Sequence, residues 1–419
     1  MMNSPPKIAI IGAGPGGLTL ARLLERDNVA FQIFDRDASP TVRGQGGTLD
    51  LHPESGQLAL RAAGLYEEFT RRARFEADST KLVMPNGTVV IDDAAQDGES
   101  QGDNRPDGGR PEIDRSELRD MLLYSLKPET VRWGHRLLKV EPHASGSGTV
   151  TARETYTLHF TVSEAHFEEG PFDIVIGADG ARSNVRPLLT DKQPFYSGVS
   201  MLELGALDVD EKKKWLAKYV GVGSCFMFDE GRAIFAQRNG NGCIRVYACV
   251  MQPEGWLDTC GIDWSFPNTA RKQLVDGYYS DCAEDIKRVI LDADDVLTPR
   301  RLDMLPIGLS WAPRGGVTLL GDAAHLMLPF AGEGVNAALH DALELREAIT
   351  RGVRKNQGVD GVLEELAAYE KCMFKRTSDL AQQTWDQIGL CFSRDGAEKF
   401  VEMVSGGPPP EGEGEDAGA

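Results

Sequence analysis

The feature that most constrains the fold is the segment KIAIIGAGPGGLTLARLLERDNVAFQIFDRD, which begins at Lys7. Residues 8–11 form a continuous apolar run, which is typical of a strand buried on both faces of a sheet. Leucines then recur at helical spacing, and an apolar run at 31–34 resumes a strand. We therefore predict a βαβ unit at the start of a doubly wound α/β sheet.

Within this unit, Gly12, Gly14 and Gly17 have the spacing Gly-x-Gly-x-x-Gly. In dinucleotide-binding folds one such glycine turns the chain, one lets the backbone approach a pyrophosphate, and one lets helix and strand pack closely. Asp35 ends the second strand, where a carboxylate accepts hydrogen bonds from the adenosine ribose. An ordinary loop between strand and helix is the alternative, but the position of the acid favours dinucleotide binding.

The composition limits the kinds of partner. The chain has 419 residues, 41% of them hydrophobic, which is enough to bury a large core in two or three domains. Its formal net charge of −19 argues against nucleic acid or an anionic membrane as a partner. Seven scattered cysteines without a Cys-x-x-Cys pair predict neither a disulfide framework nor a zinc cluster. In the absence of a leader pattern or an apolar run of about 20 residues, we expect a cytoplasmic protein.

Three glycine-rich segments together carry a family resemblance. GAGPGG, GADG at 177–180 and GDAAHLMLPFAGEGVN from Gly321 onwards resemble the FAD-dependent aromatic hydroxylase superfamily, the single-component flavin monooxygenases. RGQGGTLDLHPESGQLALRAAGL and PEIDRSELRDMLLYSL are most similar to its tetracycline-inactivating members of the TetX type. The resemblance implies that NADPH binds transiently and reduces FAD, and that oxygen then forms a flavin C4a-hydroperoxide that hydroxylates the substrate.

A discontinuous domain organisation is expected, with a Rossmann-like, GR2-type FAD-binding domain and an inserted mixed α+β domain. The predicted ranges are 5–77, 110–190 and 298–350 for the FAD-binding domain, 78–109 and 191–297 for the substrate-binding domain, 355–400 for a C-terminal bridging helix, and 404–419 for a disordered acidic tail. The segment 96–110 is rich in Gly and Asp, so we expect an exposed loop there.

The resemblance also implies which residues bind the cofactors. Asp322 would accept a hydrogen bond from the flavin ribityl chain, and the start of the helix after PFAGEGVN would stabilise negative charge on the reduced flavin. Arg43 would lie near NADPH, while Arg115 and Arg119, one helical turn apart, would reach the flavin and its phosphates. The full set implied is Gly12, Gly14, Pro15, Gly17, Asp35, Arg36, Arg43, Asp50, Arg115, Arg119, Asp179, Asp322, Pro329, Gly332, Gly334, Val335 and Asn336.

Some of these positions have alternative interpretations. Asp322 and His325 are residue types that bind metals, but no further ligands stand at matching spacing. Asp179 and Gly180 could form an ordinary Asp-Gly turn. Glu333 stands where the superfamily commonly has Gln. If the Glu333 side chain faced the ring, its charge would lower the reduction potential of the flavin. If the side chain faced solvent, the replacement of Gln by Glu would have no effect on the flavin.

The pattern on the substrate side is weaker. Aligned through GRAIFAQRNGNGCIRVYACV, Phe235 matches a substrate-contacting Phe of TetX-type proteins, whereas Glu203 and Arg245 replace a Gln and a His. These two charges either recognise the substrate or form a structural ion pair across neighbouring strands. Other aromatic residues that would line an apolar pocket, or belong to the sheet core, are Phe226, Phe228 and Tyr247.

The sequence therefore predicts an FAD-dependent monooxygenase that uses NADPH and molecular oxygen. Its expected substrate is an aromatic or polycyclic, polyketide-like small molecule of secondary metabolism, tetracycline-like compounds included. No side chain is required as a nucleophile, because the flavin carries the difficult chemistry. We expect a monomer that binds neither nucleic acid nor membrane. The alternatives are a flavin-dependent oxidase or reductase on the same fold, and a flavoprotein that sequesters a small molecule without turning it over.

Overall fold

The computed structural model describes residues 5–41, 46–93, 109–144, 154–355 and 357–404. Arg43, most of the 96–110 segment and all of the predicted tail after Val404 lie outside the described residues. What the sequence predicts for them stays a prediction.

Strands and helices follow one another along the described residues. The strands are β1 (Ile8–Ile11), β2 (Gln32–Phe34), β3 (Thr48–Asp50), β4 (Thr80–Val83), β5 (Val89–Asp92), β6 (Glu112–Asp114), β7 (Val131–Arg132), β8 (Arg136–Ala144), β9 (Glu154–Val162), β10 (Ala165–Phe172), β11 (Ile174–Gly177), β12 (Phe195–Ala206), β13 (Ser224–Asp229), β14 (Arg232–Arg238), β15 (Ile244–Met251), β16 (Val296–Met304) and β17 (Val317–Leu319). The helices are α1 (Pro15–Arg26), α2 (Gly56–Ala63), α3 (Tyr66–Arg72), α4 (Arg115–Tyr124), α5 (Val209–Lys212), α6 (Lys214–Val220), α7 (Trp256–Thr259), α8 (Pro267–Tyr278), α9 (Glu284–Asp292), α10 (Asp322–His325), α11 (Glu333–Arg354), α12 (Val359–Cys391) and α13 (Gly396–Val404).

The first of two compact units comprises the described residues within Met1–Asp78, Gln101–Ser197 and Asp303–Trp385. Its central sheet has the strand order β17-β11-β1-β2-β7, and each neighbouring pair is parallel. β2 follows β1 on one side, whereas β11 and β17 lie on the other, so the order of strands reverses at β1. This is a doubly wound sheet as predicted, and such sheets bind ligands outside the carboxyl ends of their strands at the reversal.

Helices and a second sheet complete the core of this unit. α1 packs against α11 and α2, which is why the leucines of α1 are buried. An antiparallel sheet of order β10-β9-β8 lies in the chain between β7 and β11. Phe160 of β9 stacks on Phe34 of β2 with ring centroids 4.8 Å apart. The antiparallel sheet and the parallel sheet therefore share one hydrophobic core.

The second unit comprises the described residues within Ser79–Ser100, Gly198–Leu302 and Asp386–Ala419. It is built on a mixed sheet of order β16-β12-β15-β14-β13-β4-β5. One face of this sheet presents apolar residues such as Met227, Ile234 and Val246, which pack against side chains of α6, α8 and α9. The mixed α+β character predicted for the inserted segment is present in this unit.

Two stretches with a helical sequence pattern are interrupted in the structure. The range 355–400 was predicted as one bridging helix, but it contains α12 and part of α13, separated at residues 392–395. ARKQLVDGYYSDCAEDIKRVIL reads as one helix, yet α8 ends at Tyr278 and α9 begins at Glu284. The break places Tyr279 in the core, where its hydroxyl donates to Cys249 O at 2.8 Å. No helix among the described residues combines the length and apolar character that crossing a membrane requires.

Candidate cofactor and substrate sites

The three glycines of the turn after β1 have different surroundings: two are closely packed and one borders open space. Gly12 has a φ of +112°, and a Cβ there would lie 2.2 Å from Ala178 O. A Cβ on Gly17 would lie 2.1 Å from Gly12 O. A Cβ on Gly14 would meet no atom within 4 Å. Gly12 and Gly17 therefore let the chain pack on itself, whereas the backbone at Gly14 faces open space at the start of α1.

Asp35 and Arg119 stabilise this turn through hydrogen bonds to its backbone. Asp35 accepts hydrogen bonds from the N–H of Ala13 at 2.7 Å and of Asp37 at 2.8 Å. Arg119 is 3% exposed and donates to Pro40 O at 2.5 Å and to Ala13 O at 3.4 Å. Since a carboxylate has about four acceptor sites, Asp35 keeps the capacity to accept a ribose hydroxyl.

The two arginines predicted as one face of a helix have different environments. Arg119 is buried beside the glycine turn, while Arg115 is exposed at the first residue of α4. Arg36 is also exposed. The structure thus brings Arg119, but not Arg115, into contact with the dinucleotide turn. Asp114 directly precedes α4, and its carboxylate pairs with Arg74 at 2.8 Å.

Asp179 follows β11, the strand beside β1. Its Oδ2 accepts the N–H of Asn184 at 2.7 Å, and its Oδ1 is buried without a hydrogen-bond partner among the described residues. Burial raises the pKa of Asp179, while neighbouring donors such as the Asn184 N–H oppose the shift. An acceptor left unpaired at the carboxyl edge of a parallel sheet suits a ligand that brings a donor.

Arg186, in the same GADGARSNVR segment, was not singled out from the sequence. It is buried, and its guanidinium donates to Ala323 O at 3.1 Å and to Ala181 O at 2.7 Å. Arg186 thereby ties the loop after β11 to α10. The sequence did show two arginines in this segment, Arg182 and Arg186. A sequence alone, however, does not distinguish a buried arginine from a solvated one.

α10 separates the Asp and His of GDAAH. Asp322 is exposed at the first residue of the helix, directly after the carboxyl end of β17 and Gly321. His325 is buried, and its Nε2 lies 2.5 Å from Asp341 Oδ2. That carboxylate also accepts the Gly321 N–H at 2.8 Å. His325 is therefore a structural hydrogen-bonding residue, and Asp322 alone of the two is available to a ligand.

Asp341 is a fully buried carboxylate that stays charged. Burial alone would raise its pKa, but His325, Arg376 and the Gly321 N–H outweigh that effect and hold the pKa below its ordinary value. Arg376 of α12 donates to Asp341 Oδ1 at 2.5 Å. The pair of charges anchors α11, α12 and the end of β17 to one another.

The turn before α11 brings a cluster of acidic and histidine side chains together. Gly332 has a φ of +69°, and a Cβ there would lie 2.7 Å from Asp50 Oδ1. His52 Nε2 lies 2.8 Å from Asp50 Oδ2, and His52 Nδ1 lies 3.6 Å from Glu333 Oε2. The Glu333 side chain is only 12% exposed, and burial raises its pKa despite the opposing charges of His52 and Arg110. Glu333 thus turns to His52 and away from solvent.

Asn336 holds this cluster in place. It is 0% exposed; its Oδ1 accepts the His52 N–H at 2.9 Å, and its Nδ2 donates to Asp50 O at 2.9 Å. A further Nδ2 contact reaches Gly332 O at 3.1 Å. Because its amide is used within the protein, Asn336 positions this turn. Sequence reasoning missed His52, although it stands in the quoted GGTLDLH.

On the second unit, the predicted substrate residues share one face of the sheet. Phe226 pairs with Phe235 across β13 and β14, Phe235 pairs with Tyr247 across β14 and β15, and Tyr247 pairs with Glu203 across β15 and β12. Arg245 is two positions from Tyr247 on β15 and so lies on the same face. This face is opposite the one that packs against α6, α8 and α9. We call these five residues the aromatic row.

A ring that sequence reasoning missed extends this face. Phe400 of α13 lies with its centroid 6.2 Å from that of Phe226 and 5.7 Å from that of Phe228. Phe226 and Phe235 meet edge to face at 5.5 Å. Phe228 is buried in this cluster, so the core interpretation applies to it, while Phe226, Phe235 and Tyr247 are half-buried.

Glu203 forms an ion pair with a residue that was included neither in the substrate-recognition alternative nor in the Glu203–Arg245 alternative. Its Oε2 accepts a hydrogen bond from Arg300 Nε of β16 at 2.7 Å. Arg245 lies instead beside Gly205, where a Cβ would stand 2.9 Å from Arg245 Nη1. Glu203 thus pairs across strands with Arg300 and not with Arg245. Sequence alone missed Arg300 because β16 follows β12 only after a long intervening segment.

Comparisons with known proteins bear on this geometry. The model of a family described as FAD binding domain matches residues 6–372. A Penicillium thymicola protein, monooxygenase penA, is 32% identical over 442 residues, covering 95% of this chain and 98% of that protein. The chain belongs to the FAD-dependent aromatic hydroxylase superfamily. Monooxygenase asqM of Emericella nidulans is 29% identical and covers 97% of this chain and 100% of its own length.

Solved structures show the same fold for this flavin monooxygenase. Klebsiella pneumoniae HpxO in complex with FAD and uric acid has a TM-score of 0.72 at 21% identity, covering 95% of this chain and 92% of that one. Tetracycline destructase Tet(51) has a TM-score of 0.63 at 17% identity, covering 96% and 94%. At such identities the likeness shows the fold alone. The predicted superfamily, the FAD cofactor and the monooxygenase activity are confirmed, while the substrate is not decided.

Proposed function

We propose that this monooxygenase uses NADPH to hydroxylate a polycyclic aromatic or polyketide-like small molecule. The observation that carries the proposal is the aromatic row: three half-buried rings and two charged groups on the sheet face opposite α6, α8 and α9, to which α13 adds Phe400. Flat rings offer contact area to a planar substrate at little cost in conformational entropy. Arg245 and the Glu203–Arg300 pair add fixed polar groups that orient a substrate with hydroxyl or carbonyl substituents.

We infer that FAD is held at the carboxyl edge of the parallel sheet. Supporting this placement, Gly14 leaves room for a pyrophosphate at the N-terminus of α1, and Asp179 carries an unpaired buried acceptor. Asp35 would take the adenosine ribose, and exposed Asp322 the ribityl chain. FAD, when bound, supplies oxygen activation and oxygen transfer.

Around that cofactor, the turn before α11 supplies the electrostatics. The 22-residue helix α11 begins after Gly332, and its first turn includes Gly334 and Val335. Backbone N–H groups at the start of a helix stabilise negative charge. Pro329 begins the short turn that precedes this helix. Asp50, His52 and Glu333 lie beside those amides. The residues of this turn would thus set the charge near the flavin without taking part in bond making. NADPH would bind only transiently, and NADH is the alternative donor.

The test is a screen of aromatic and polyketide compounds, tetracyclines included, against the purified FAD-loaded enzyme. We expect one class of compounds to stimulate NADPH oxidation and to gain one atom of oxygen from labelled O₂. Phe235→Ala should lower turnover roughly tenfold or more with normal FAD content, since ring contacts contribute about 1–3 kcal/mol. Phe266→Ala, at an exposed phenylalanine of the same unit, should leave turnover unchanged.

Two other outcomes would contradict the proposal. NADPH oxidation that yields hydrogen peroxide without labelled product, across the whole panel, would identify an oxidase or reductase. Tight binding of a compound without NADPH oxidation would identify a sequestering flavoprotein. Parallel assays with NADH decide the electron donor.

A further inference from the structure

The face of the β10-β9-β8 sheet opposite Phe160 carries a cluster of histidine and carboxylate side chains that the proposed monooxygenase chemistry does not use. His159 of β9 is the direct cross-strand partner of Glu168 of β10, and His166 pairs with Thr161. His166 and Glu168 are two residues apart on one strand, so both face the same side as His159. Ser163 and Glu164 have positive φ angles of 47° and 70°. That turn fixes the hairpin register that brings the three side chains together.

His159 is an unusual member of this surface because it is only 7% exposed. Its Nε2 lies 3.0 Å from Glu141 Oε2, so the Nε2 proton is donated to that carboxylate. Its buried Nδ1 has no hydrogen-bond partner among the described residues, although Glu168 Oε1 lies 3.2 Å away. With the proton on Nε2, Nδ1 is an acceptor that lies 3.2 Å from a carboxylate oxygen, itself an acceptor. Two acceptors at this distance require a positive charge between them or nearby.

We propose that His159, His166 and Glu168 bind a divalent transition-metal ion of the Zn²⁺ class. One ligand atom from each of the three residues lies within 4.8 Å of the other two. Tetrahedral zinc ligands at about 2.0–2.1 Å from the ion lie about 3.3 Å from one another, which matches the 3.2 Å between His159 Nδ1 and Glu168 Oε1. His166 Nδ1 is 4.0 Å from the same oxygen. Since both side chains are more than half exposed, rotation of His166 closes the difference.

Glu141 and Lys139 prepare the buried ligand. A metal-binding histidine ordinarily donates its other ring N–H to a carboxylate, which fixes the tautomer and the ring orientation. Glu141 is in that position for His159. Lys139 Nζ lies 2.7 Å from the same Glu141 Oε2, so a positive charge stands beside the carboxylate that accepts from His159.

The donor set decides the class of ion. Two imidazole nitrogens and one carboxylate oxygen suit Zn²⁺, Co²⁺ or Ni²⁺, whereas Mg²⁺ and Ca²⁺ prefer oxygen ligands throughout. Three protein ligands leave a fourth position for water. The bound ion would cross-link the two strands of the β9–β10 hairpin. The same geometry would be satisfied without metal if His159 were an imidazolium held between Glu141 and Glu168, and the experiment separates these two states.

The experiment is calorimetric titration of Zn²⁺ into the FAD-loaded enzyme after removal of metals by chelator and dialysis. We expect one ion to bind per chain. His166→Ala and Glu168→Gln should each weaken binding by about 10–100-fold. Both positions are exposed, so the fold should survive their substitution. His143→Ala is the matched control, because His143 is an exposed histidine of β8, 2.9 Å from Thr157 Oγ1, and should leave the affinity unchanged.

Three results would overturn the proposal. The first is no heat of Zn²⁺ binding in the unmodified enzyme, which leaves the imidazolium as the state of His159. The second is binding that His166→Ala and Glu168→Gln leave intact, which places the ion elsewhere, as on a cysteine. The third is Mg²⁺ binding as tightly as Zn²⁺. His166→Cys should retain Zn²⁺ binding through a thiolate, a gain that a merely structural role for His166 would not produce.

Discussion

At the scale of single residues, the glycines of the first turn have distinct tasks that geometry separates. Gly17 makes room for the carbonyl of Gly12, and Gly12 makes room for Ala178 O. These contacts exist in the protein without any ligand. Gly14, in contrast, borders open space, so its lack of a side chain matters only when a ligand approaches.

Gly14→Ala and Gly17→Ala should therefore fail in different ways. We expect Gly14→Ala to leave the melting temperature of the apoprotein unchanged and to weaken FAD binding roughly tenfold or more. Gly17→Ala should destabilise the apoprotein by about 1–3 kcal/mol, because its Cβ overlaps the Gly12 carbonyl. Thermal melting and FAD titration of both variants check this. Equal loss of apoprotein stability in both variants would contradict the assignment of Gly14.

Glu333 is the residue whose orientation the sequence left open. Its carboxylate turns to His52 in a buried position, beside the turn proposed to face the flavin. A negative charge there opposes electron uptake by the flavin.

We expect Glu333→Gln to raise the reduction potential of the bound flavin. A charge acting across roughly 8 Å at an effective dielectric of about 20 contributes about 2 kcal/mol, or some 20–50 mV for a two-electron couple. Equilibrium reduction against a reference dye measures the shift. Glu54→Gln, at an exposed glutamate 3.9 Å from the same histidine, is the control. An unchanged potential in Glu333→Gln would place the flavin ring away from this turn.

At the scale of elements, the polar residues at the two ends of α10 lie in different environments. Asp322 is exposed at its first residue, and His325 is buried at its last, bonded to Asp341. A short helix thus joins an exposed carboxylate to the internal charge network of α11 and α12.

Asp322→Ala should weaken FAD binding about tenfold, the value of one hydrogen bond to a charged group, and leave apoprotein stability within about 0.5 kcal/mol. His325→Ala should destabilise the apoprotein by roughly 3 kcal/mol, because it removes one partner of a buried charge. Urea unfolding and flavin content measure both effects. A His325 variant with normal stability and flavin but no turnover would instead assign His325 a catalytic role.

α12 carries a buried acid where it packs on β17. Glu370 is 2% exposed and accepts hydrogen bonds from Trp311 Nε1 at 3.0 Å and Thr318 Oγ1 at 2.9 Å. Burial raises its pKa to about 7, although both hydrogen bonds oppose the shift. Because the folded pKa lies above the unfolded value, the stabilising contribution of Glu370 is full below the unfolded pKa of about 4.5 and is lost as pH rises through about 7.

Glu370→Gln should therefore stabilise the protein by about 1–3 kcal/mol at pH 8 and have little effect near pH 4. Glu364→Gln, at an exposed glutamate of the same helix, should change stability by less than about 0.5 kcal/mol at either pH. Denaturant unfolding as a function of pH measures both. A Glu370 variant that is equally affected at both pH values would show that the carboxyl does not titrate in this range.

At the scale of the whole molecule, the residues proposed for the cofactor and for the substrate belong to different units. The glycine turn, Asp179 and Asp322 are in the first unit, and the aromatic row is in the second. Each unit also has its own hydrophobic core. A ligand that binds one unit stabilises that unit's local structure first.

We expect FAD to slow amide hydrogen exchange in Ile8–Ile11 and Val317–Leu319 of the apoprotein, because both strands end at the proposed site. Exchange in Arg232–Arg238 should change little when FAD is added without substrate. Hydrogen exchange followed by mass spectrometry measures both segments. Stronger protection of Arg232–Arg238 than of Ile8–Ile11 would contradict the placement of FAD.

The sequence by itself determined the parts of this protein that depend on neighbouring residues. The βαβ unit, its glycine turn and the family could be predicted because a strand, a turn and a helix are specified within about thirty residues. The family resemblance pointed to residues of the aromatic row, and strand alternation explains why those two positions apart face the same side. Tertiary structure decided which distant groups meet: Arg300 with Glu203, His52 with Glu333, and Asp341 with His325. These contacts depend on strand register and helix packing, which no short stretch of chain encodes.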